Sequence, residues 1–489
     1  MKKKILLVNL PSDSVRKPEE HCGLGYLHAF LDEKDLEVDI YDAYALRTDI
    51  QHCKEYILKW INQGDEYSYY IGISAFVTSH ESLVELGEYI KTLGDSTIFA
   101  GGHYATLNRK YLMNEYEWLD AIIVGEGEIS TYELIMANEI SSVPGVYIKN
   151  DSDFFIPRER VNDLDNLPFQ TRYLSKEQLG GQPFTISTSR GCYGECSFCS
   201  IATFYQTNGK EIKQTYRSAK SVSDEIHMLV NKKGATVIKI VDDNFFRDKS
   251  DSFLEDLVDR IEKLKVNFRL SARPDDITEE RAILLKKMGA TVVGIGVESA
   301  HEESLKLFNK GIEISDSIKA IDLLNKNSIT CLVNFIMFNP IIVIDGVDEN
   351  CKFIKTNIDK SIFHRINSHL WIRSTDPIVD RLEVLGLCER KGFPYIECIY
   401  KNDEIMDLYN LFDKWCISNM KEYYAIADIL MAKGIAGNEE EYKIYKQYLK
   451  EDVQVLEELI NIYKNKNLKT DGEIYLNKIL GALHIGDLP

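Results

Sequence analysis

No stretch of this 489-residue chain approaches the roughly 18 uninterrupted apolar residues that a bilayer-spanning helix needs. It also lacks any lysine- or arginine-rich block, and 58 Lys and Arg against 77 Asp and Glu leave a formal net charge of −19. So acidic a surface repels phosphate backbones, which argues against nucleic acid as a partner. An export signal is missing too. "MKKKILLVNLPSDS" opens on lysines and an apolar run, but that run is short and stops at Pro11 without a small-residue cleavage site. The opening reads as a first β-strand, and the chain as cytoplasmic, with no membrane partner. Repeats and low-complexity tracts are absent. Ten cysteines in a long chain without an export signal read as free thiols and metal ligands rather than disulfides.

What the chain does contain is an α/β pattern, long enough for two or three domains. From residue 4 to about 138, "KILLVNL", "LEVDIYD", "YYIGISAF", "STIFAGG" and "DAIIVGEGE" read as buried parallel strands, with segments such as "TSHESLVELGEYIKTL" at helical spacing between them. The pattern predicts a doubly wound domain of Rossmann or flavodoxin type, whose ligands bind at the carboxyl ends of the strands. "VPGVYI" and "VNDLDNLPFQTRYL" follow as a hairpin and an extended connector. A second series then begins, with "FTISTSR", "TVIKIVDD", "NFRLSAR", "ATVVGIGVES", "ITCLVNFIMF" and "FHRINSHLWI" as strands of a partial (β/α)6 barrel whose active site lies at the strand C-termini. The remainder is mainly helical. The expected divisions are 1–140, 141–180 (connector), 181–373 (barrel) and 374–489 (helical substrate or lid domain).

"TSRGCYGECSFCS" places Cys192, Cys196 and Cys199 as Cys-x3-Cys-x2-Cys after the first barrel strand. A fully protein-ligated 4Fe–4S cluster takes four thiolates, and a structural zinc site four ligands. Three thiols on one glycine-containing loop therefore leave an iron open to a non-protein ligand. The residues alone leave room for zinc completed by a distant side chain, or for thiols of no special role. Cys388, Cys398 and Cys416 are too widely spaced for a second cluster motif, and Tyr395, Tyr400 and Trp415 read as packing.

With Phe198 before the last cysteine, this loop resembles that of radical S-adenosylmethionine (SAM) enzymes. The resemblance implies that the open iron binds the amino and carboxylate groups of SAM. An electron from the cluster then cleaves SAM to methionine and a 5′-deoxyadenosyl radical. "VDDNFF", "SARPD" and "GVES" end successive strands, and "ESAHEESLKLFNKG" and "RSAKSVSDEI" also match the family's wording. By resemblance Phe198, Asp243, Ser271, Arg273, Glu298 and Ser299 are expected to contact SAM, with Arg273 on its carboxylate and Glu298 on its ammonium or ribose. "FIMFNP" departs from the family's Gly-x-Pro pattern.

The first domain resembles the cobalamin-binding domain fused ahead of many radical SAM proteins, through "GISAFVTS", "AGGHYAT" and "DAIIVGEGE". The resemblance places Ser74, Thr78, Gly101, Gly102, His103, Gly125, Glu126 and Gly127 at the cofactor. The Asp-x-His-x-x-Gly motif of histidine-ligating cobalamin proteins is absent, which leaves the lower face of cobalt unspecified. The two resemblances together imply a cobalamin-dependent methyltransferase acting on an unactivated carbon of a small molecule or peptide, reduced by a donor such as flavodoxin or ferredoxin. A ring-forming or rearranging enzyme with the same cofactors is the alternative, and a cofactor-sensing regulator a further one. Methylthiotransfer to tRNA would need three more cysteines in the first domain, which has only Cys22 and Cys53.

Overall fold

Apolar side chains on both faces of a strand demand cover on both sides, and Lys2–Asn9 (β1) is buried from Lys4 onward. It pairs in parallel with Glu37–Asp42 (β2) and Tyr67–Ser74 (β3). Ser96–Gly101 (β4) and Ala121–Ile123 (β5) continue the parallel sheet, and Val146–Tyr147 (β6) closes it antiparallel to β5. The order β2-β1-β3-β4-β5-β6 is the flavodoxin arrangement, in which the topological switch falls between β1 and β3. Helices such as Cys22–Asp32 and His80–Lys91 cover the faces. Ile5, Leu7, Leu31, Phe99, Ile123 and Leu134 lie in one core cluster. The "VPGVYI" hairpin thus belongs to the first sheet rather than to a connector.

This computed structural model describes residues 2–12, 19–62, 64, 66–149, 154–205, 214–247, 250–391, 393 and 396–484; Tyr395 lies outside them. The chain forms two units, residues 1–193 with 200–243, and residues 194–199 with 244–489.

Five of the six strands expected of the partial barrel are present, each shorter than the sequence suggests, while the sixth lies at Ser361–Phe363 and shares only Phe363 with "FHRINSHLWI". In the first unit, Phe184–Ile186 (β7) runs parallel to Val237–Ile240 (β10). "FTISTSR" is not one strand: Ser189–Gly191 (β8) turns away to pair antiparallel with Gln214–Tyr216 (β9). Asp242 causes the break. Its carboxylate accepts from the Thr188 amide at 2.6 Å, from the Thr188 hydroxyl and from Ser189 Oγ at 2.9 Å, which bends the chain out of register.

In the second unit Asn267–Ala272 (β11), Ala290–Glu298 (β12), Thr330–Phe335 (β13) and Ser361–Phe363 (β14) form a parallel sheet. "FHRINSHLWI" ends as a strand at Phe363. Beyond it, buried Arg365 is drawn to Asp452 and Asn419 on the C-terminal helices, so the backbone leaves the sheet. Those helices are Asp403–Ser418, Met420–Lys433, Glu439–Asn465 and Glu473–His484. The longest buries Tyr445, Leu449, Val453, Leu456 and Leu459, the three-to-four-residue spacing of one apolar face. No helix among the described residues is long and apolar enough to cross a membrane.

Candidate functional site

In the first unit the ends of β1 and β3 bring Asn9 and Ser74 side by side in register. Ser74 Oγ lies 3.1 Å from Nε2 of His21, a residue the sequence reading passed over. His21 caps the helix that follows it, its Nδ1 accepting from the Leu24 amide at 3.1 Å. The ring hydrogen therefore sits on Nε2 and is donated to Ser74. Burial lowers the pKa of His21, against an opposing pull from Asp42, so the imidazole is neutral. Asp42, at the end of β2, accepts from Asn9 Nδ2 at 2.7 Å and from Tyr173 Oη at 2.7 Å.

Small residues keep this edge open. Gly102 holds a positive φ of 89°, and a Cβ there would approach only Ala75 O and Ser74 Oγ, both at 3.7 Å. Gly101 and Gly127 have equally open Cβ directions, each 3.8 Å from Ile123. Gly125, also at positive φ, donates its amide to Thr106 Oγ1. Thr78 is exposed, and so is Phe76, an apolar ring half open to solvent just after β3.

Two members of the expected set have other partners. Glu126 accepts from Arg190 at 3.2 Å and from the Val161 amide at 3.0 Å, and Glu128 grips Arg190 at 2.6 Å. Burial works against ionisation of Glu128, but Arg190 overcomes it and holds the carboxyl below its ordinary range. The "GEGE" acids thus anchor the arginine two residues before Cys192. His103 stacks on Phe204 with centroids 3.9 Å apart and planes 14° apart, a packing contact with the helix Ser200–Tyr205. Asp243 accepts from the Gly191 amide at 3.0 Å, fixing the start of the cysteine loop. Surrounding protein lifts its pKa to about 6, against that amide and Arg160.

In the second unit, residues 194–199 are pinned by distant backbone. Ser197 donates its amide to Phe308 O at 2.8 Å and its hydroxyl to Leu307 O at 2.7 Å. The Ile378 amide donates to Ser197 O at 2.7 Å, and Asn309 Nδ2 to Glu195 O at 2.8 Å. Phe198 packs edge-on against Phe308 with centroids 5.3 Å apart, against a cluster that includes Leu370, Ile372 and Ile378. Its ring is an anchor for the loop.

Around Cys196 the structure assembles charges that the sequence pattern did not pair. Arg273 Nη1 lies 3.8 Å from Cys196 Sγ, and Nη2 donates to Lys310 O at 2.8 Å. Lys310 Nζ in turn meets Glu298 Oε1 at 2.9 Å, both residues being buried. Glu298 takes a positive φ of 66°, unusual for a side-chain-bearing residue, and sits over Gly296. A Cβ at position 296 would stand 2.3 Å from Glu298 Oε1 and 2.6 Å from Lys310 Nζ. Gly296→Ala should therefore displace the pair and destabilise the second unit by about 1–3 kcal/mol, as overpacking of a filled site does. Urea or thermal unfolding of the variant measures this; unchanged stability would refute the crowding at that position.

Ser299 is fully buried, its hydroxyl donating to Asn350 Oδ1 at 3.0 Å and accepting from the His301 amide at 3.1 Å, so it shapes the turn after β12. Ser271 is exposed at the end of β11. Three further residues escaped sequence reading. Asn244 is buried and bonds the Arg273 amide at 3.1 Å and Asp276 at 2.9 Å. Asn350 and Lys310 are the others; Asn244 and Lys310 carried a signal, inside "VDDNFF" and "ESAHEESLKLFNKG", and Asn350 none. Elsewhere, buried Tyr400, Trp415, Cys388 and Cys416 are packing residues as expected.

The donors fit an iron–sulfur cluster. All three loop cysteines are free and partly exposed, and a guanidinium nitrogen lies 3.8 Å from Cys196 Sγ. Among the described residues no three His, Cys, Asp or Glu side chains close on one point, as ligands of a single ion would. In a four-iron cluster each thiolate takes its own iron, so the sulfurs stand apart.

Residues 186–354 match the radical SAM superfamily. An uncharacterized methyltransferase of Pyrococcus horikoshii is 27% identical over 368 residues, covering 72% of this chain and 78% of that protein. The anaerobic magnesium-protoporphyrin IX monomethyl ester cyclase of Synechocystis sp. is 25% identical over 361 residues, 68% of each. Among solved structures, the cobalamin-dependent SAM radical enzyme OxsB with aqua-cobalamin and SAM bound superposes with a TM-score of 0.79. At 19% identity it covers 98% of this chain and 75% of OxsB.

Proposed function

Because the chain carries a radical SAM domain over residues 186–354, we propose that it is a cobalamin-dependent radical SAM methyltransferase acting on an unactivated carbon. A bound 4Fe–4S cluster, SAM and cobalamin would supply, in that order, a low-potential electron, a hydrogen-abstracting radical and a transferable methyl group. Cys192, Cys196 and Cys199 would hold the cluster, leaving one iron for SAM. Glu298, Lys310 and exposed Ser271 would line the SAM side. Ser74, Thr78, Gly101, Gly102, Gly125 and Gly127 would form the ledge for the corrin, and His21 would hold Ser74 in place. Residues 374–489 would close over the substrate, and the connector between the first domain and the barrel would begin only after β6.

The observation that carries this reading is the pinned cysteine loop with Arg273 against Cys196, in a chain whose first sheet offers an open flavodoxin-type ledge. Anaerobic reconstitution followed by iron and cobalt analysis tests it. The expected result is a cluster and a cobalt per chain, with S-adenosylhomocysteine and 5′-deoxyadenosine both formed when substrate is present. Iron without cobalt would end the methyltransferase reading and leave the radical SAM domain standing.

The similarity to a ring-forming cyclase favours a second reading, carbon-skeleton rearrangement with the same cofactors. It predicts 5′-deoxyadenosine without S-adenosylhomocysteine.

A further inference from the structure

Arg273 is spoken for on several sides. Its amide is held by Asn244 Oδ1 at 3.1 Å, its Nε by Asp275 Oδ1 at 3.0 Å, and its Nη2 by Lys310 O at 2.8 Å and Asp275 Oδ2 at 3.3 Å. The guanidinium is a rigid plane, so these contacts fix the direction of Nη1, which lies 3.8 Å from Cys196 Sγ. The residue is 8% exposed, so solvent screens the contact little. Aiming Nη1 at the sulfur is a different task from clamping the carboxylate of SAM, the role sequence resemblance suggests.

We propose that Arg273 is a positioning residue for the reduction potential of the cluster: held by Asn244, Asp275 and the Lys310 carbonyl, it directs a charged N–H onto the Cys196 sulfur. Hydrogen bonds to cluster sulfurs and net charge nearby are established determinants of cluster potential. A cation donating to the thiolate stabilises the more negative, reduced cluster and so raises its potential. The inference rests on the proposed cluster site and deepens it.

The test is a redox titration of the reconstituted full chain, followed by electron paramagnetic resonance, with iron and sulfide measured on every sample. Arg273→Met should lower the midpoint so that the reduced-to-oxidised ratio at fixed potential falls about tenfold, which is about 59 mV for one electron. Arg273→Lys, which keeps the charge and loses the fork, should lie between. Asp275→Asn should move the midpoint upward, because it removes a negative charge from beside the guanidinium. Its side chain is one-third exposed, so this variant serves if Arg273→Met fails to load. Equal midpoints at equal iron content, or an Asp275→Asn shift in the same direction as Arg273→Met, would overturn the proposal. A wild-type chain that takes up no iron would instead overturn the cluster reading beneath it.

Discussion

Replacing Cys196 with alanine is expected to abolish reductive cleavage of SAM and to strip most of the iron from the reconstituted chain. On the proposed reading three thiolates would hold the cluster with none to spare, since the remaining iron position is the one SAM would take. No other thiol can take over. Burial pushes the pKa of Cys331 up to about 12, and it does the same to Cys22, Cys53, Cys351 and Cys398. Cys416 is raised further still and Cys388 is raised too, each by burial first. Such groups stay as thiols, and the thiol is a poor metal ligand. Loss of a partner outside the ligand shell of a metal site costs roughly 10–100-fold, and loss of a ligand must exceed that. Iron and sulfide content and chromatographic detection of 5′-deoxyadenosine measure the effect, with Cys331→Ala as a control that should keep its iron. A Cys196→Ala protein with full iron and normal SAM cleavage would refute the assignment of the loop.

The second large effect lies in the C-terminal helices and concerns folding. Asp452 is fully buried and accepts from Arg365 Nη2 at 2.9 Å and from Trp415 Nε1 at 2.9 Å, while Arg365 Nη2 also reaches Asn419. Removing one partner of a buried ion pair strands the other charge and costs about 3–5 kcal/mol. Asp452→Ala should destabilise the second unit by that amount in urea or thermal unfolding. Replacing Arg365 and Asp452 together by methionine and leucine should recover most of it, because desolvation of both charges is then avoided. If the double variant is as unstable as the single one, packing rather than the unpaired charge is responsible.

The pH dependence follows from the same group. Burial raises the pKa of Asp452 to about 6, only partly offset by Arg365. An unfolded aspartate titrates near about 4, so between about pH 4 and pH 6 the native state binds a proton that the unfolded state has released. Stability therefore falls as pH rises through that window. Asp452→Asn should flatten this part of the profile, and an unchanged slope would count against the assignment.

Much of this was legible in the chain itself, for reasons of distance along it. Runs such as "KILLVNL" must be covered on both faces, so apolar content alone marks them as interior parallel strands. The three motif cysteines lie within eight residues of one another, so their spacing survives without any knowledge of the fold. The lack of long apolar runs agrees with the described helices, none of which is long and apolar enough to cross a membrane.

Tertiary structure decided what depends on partners far apart in sequence. It chose the flavodoxin strand order over the Rossmann one, ended "FTISTSR" early through Asp242, and ended the sixth barrel strand through Asp452, some ninety residues away. It turned Ser299 into a turn-forming residue and Glu126 into a partner of Arg190. Arg273 illustrates the physical reason. A strand-end arginine can be read from sequence, but its direction is set by Asn244, Asp275 and Lys310. Which residues carry chemistry is a local property of the chain; where their charged ends point is settled only when the rest of the fold supplies the hydrogen bonds.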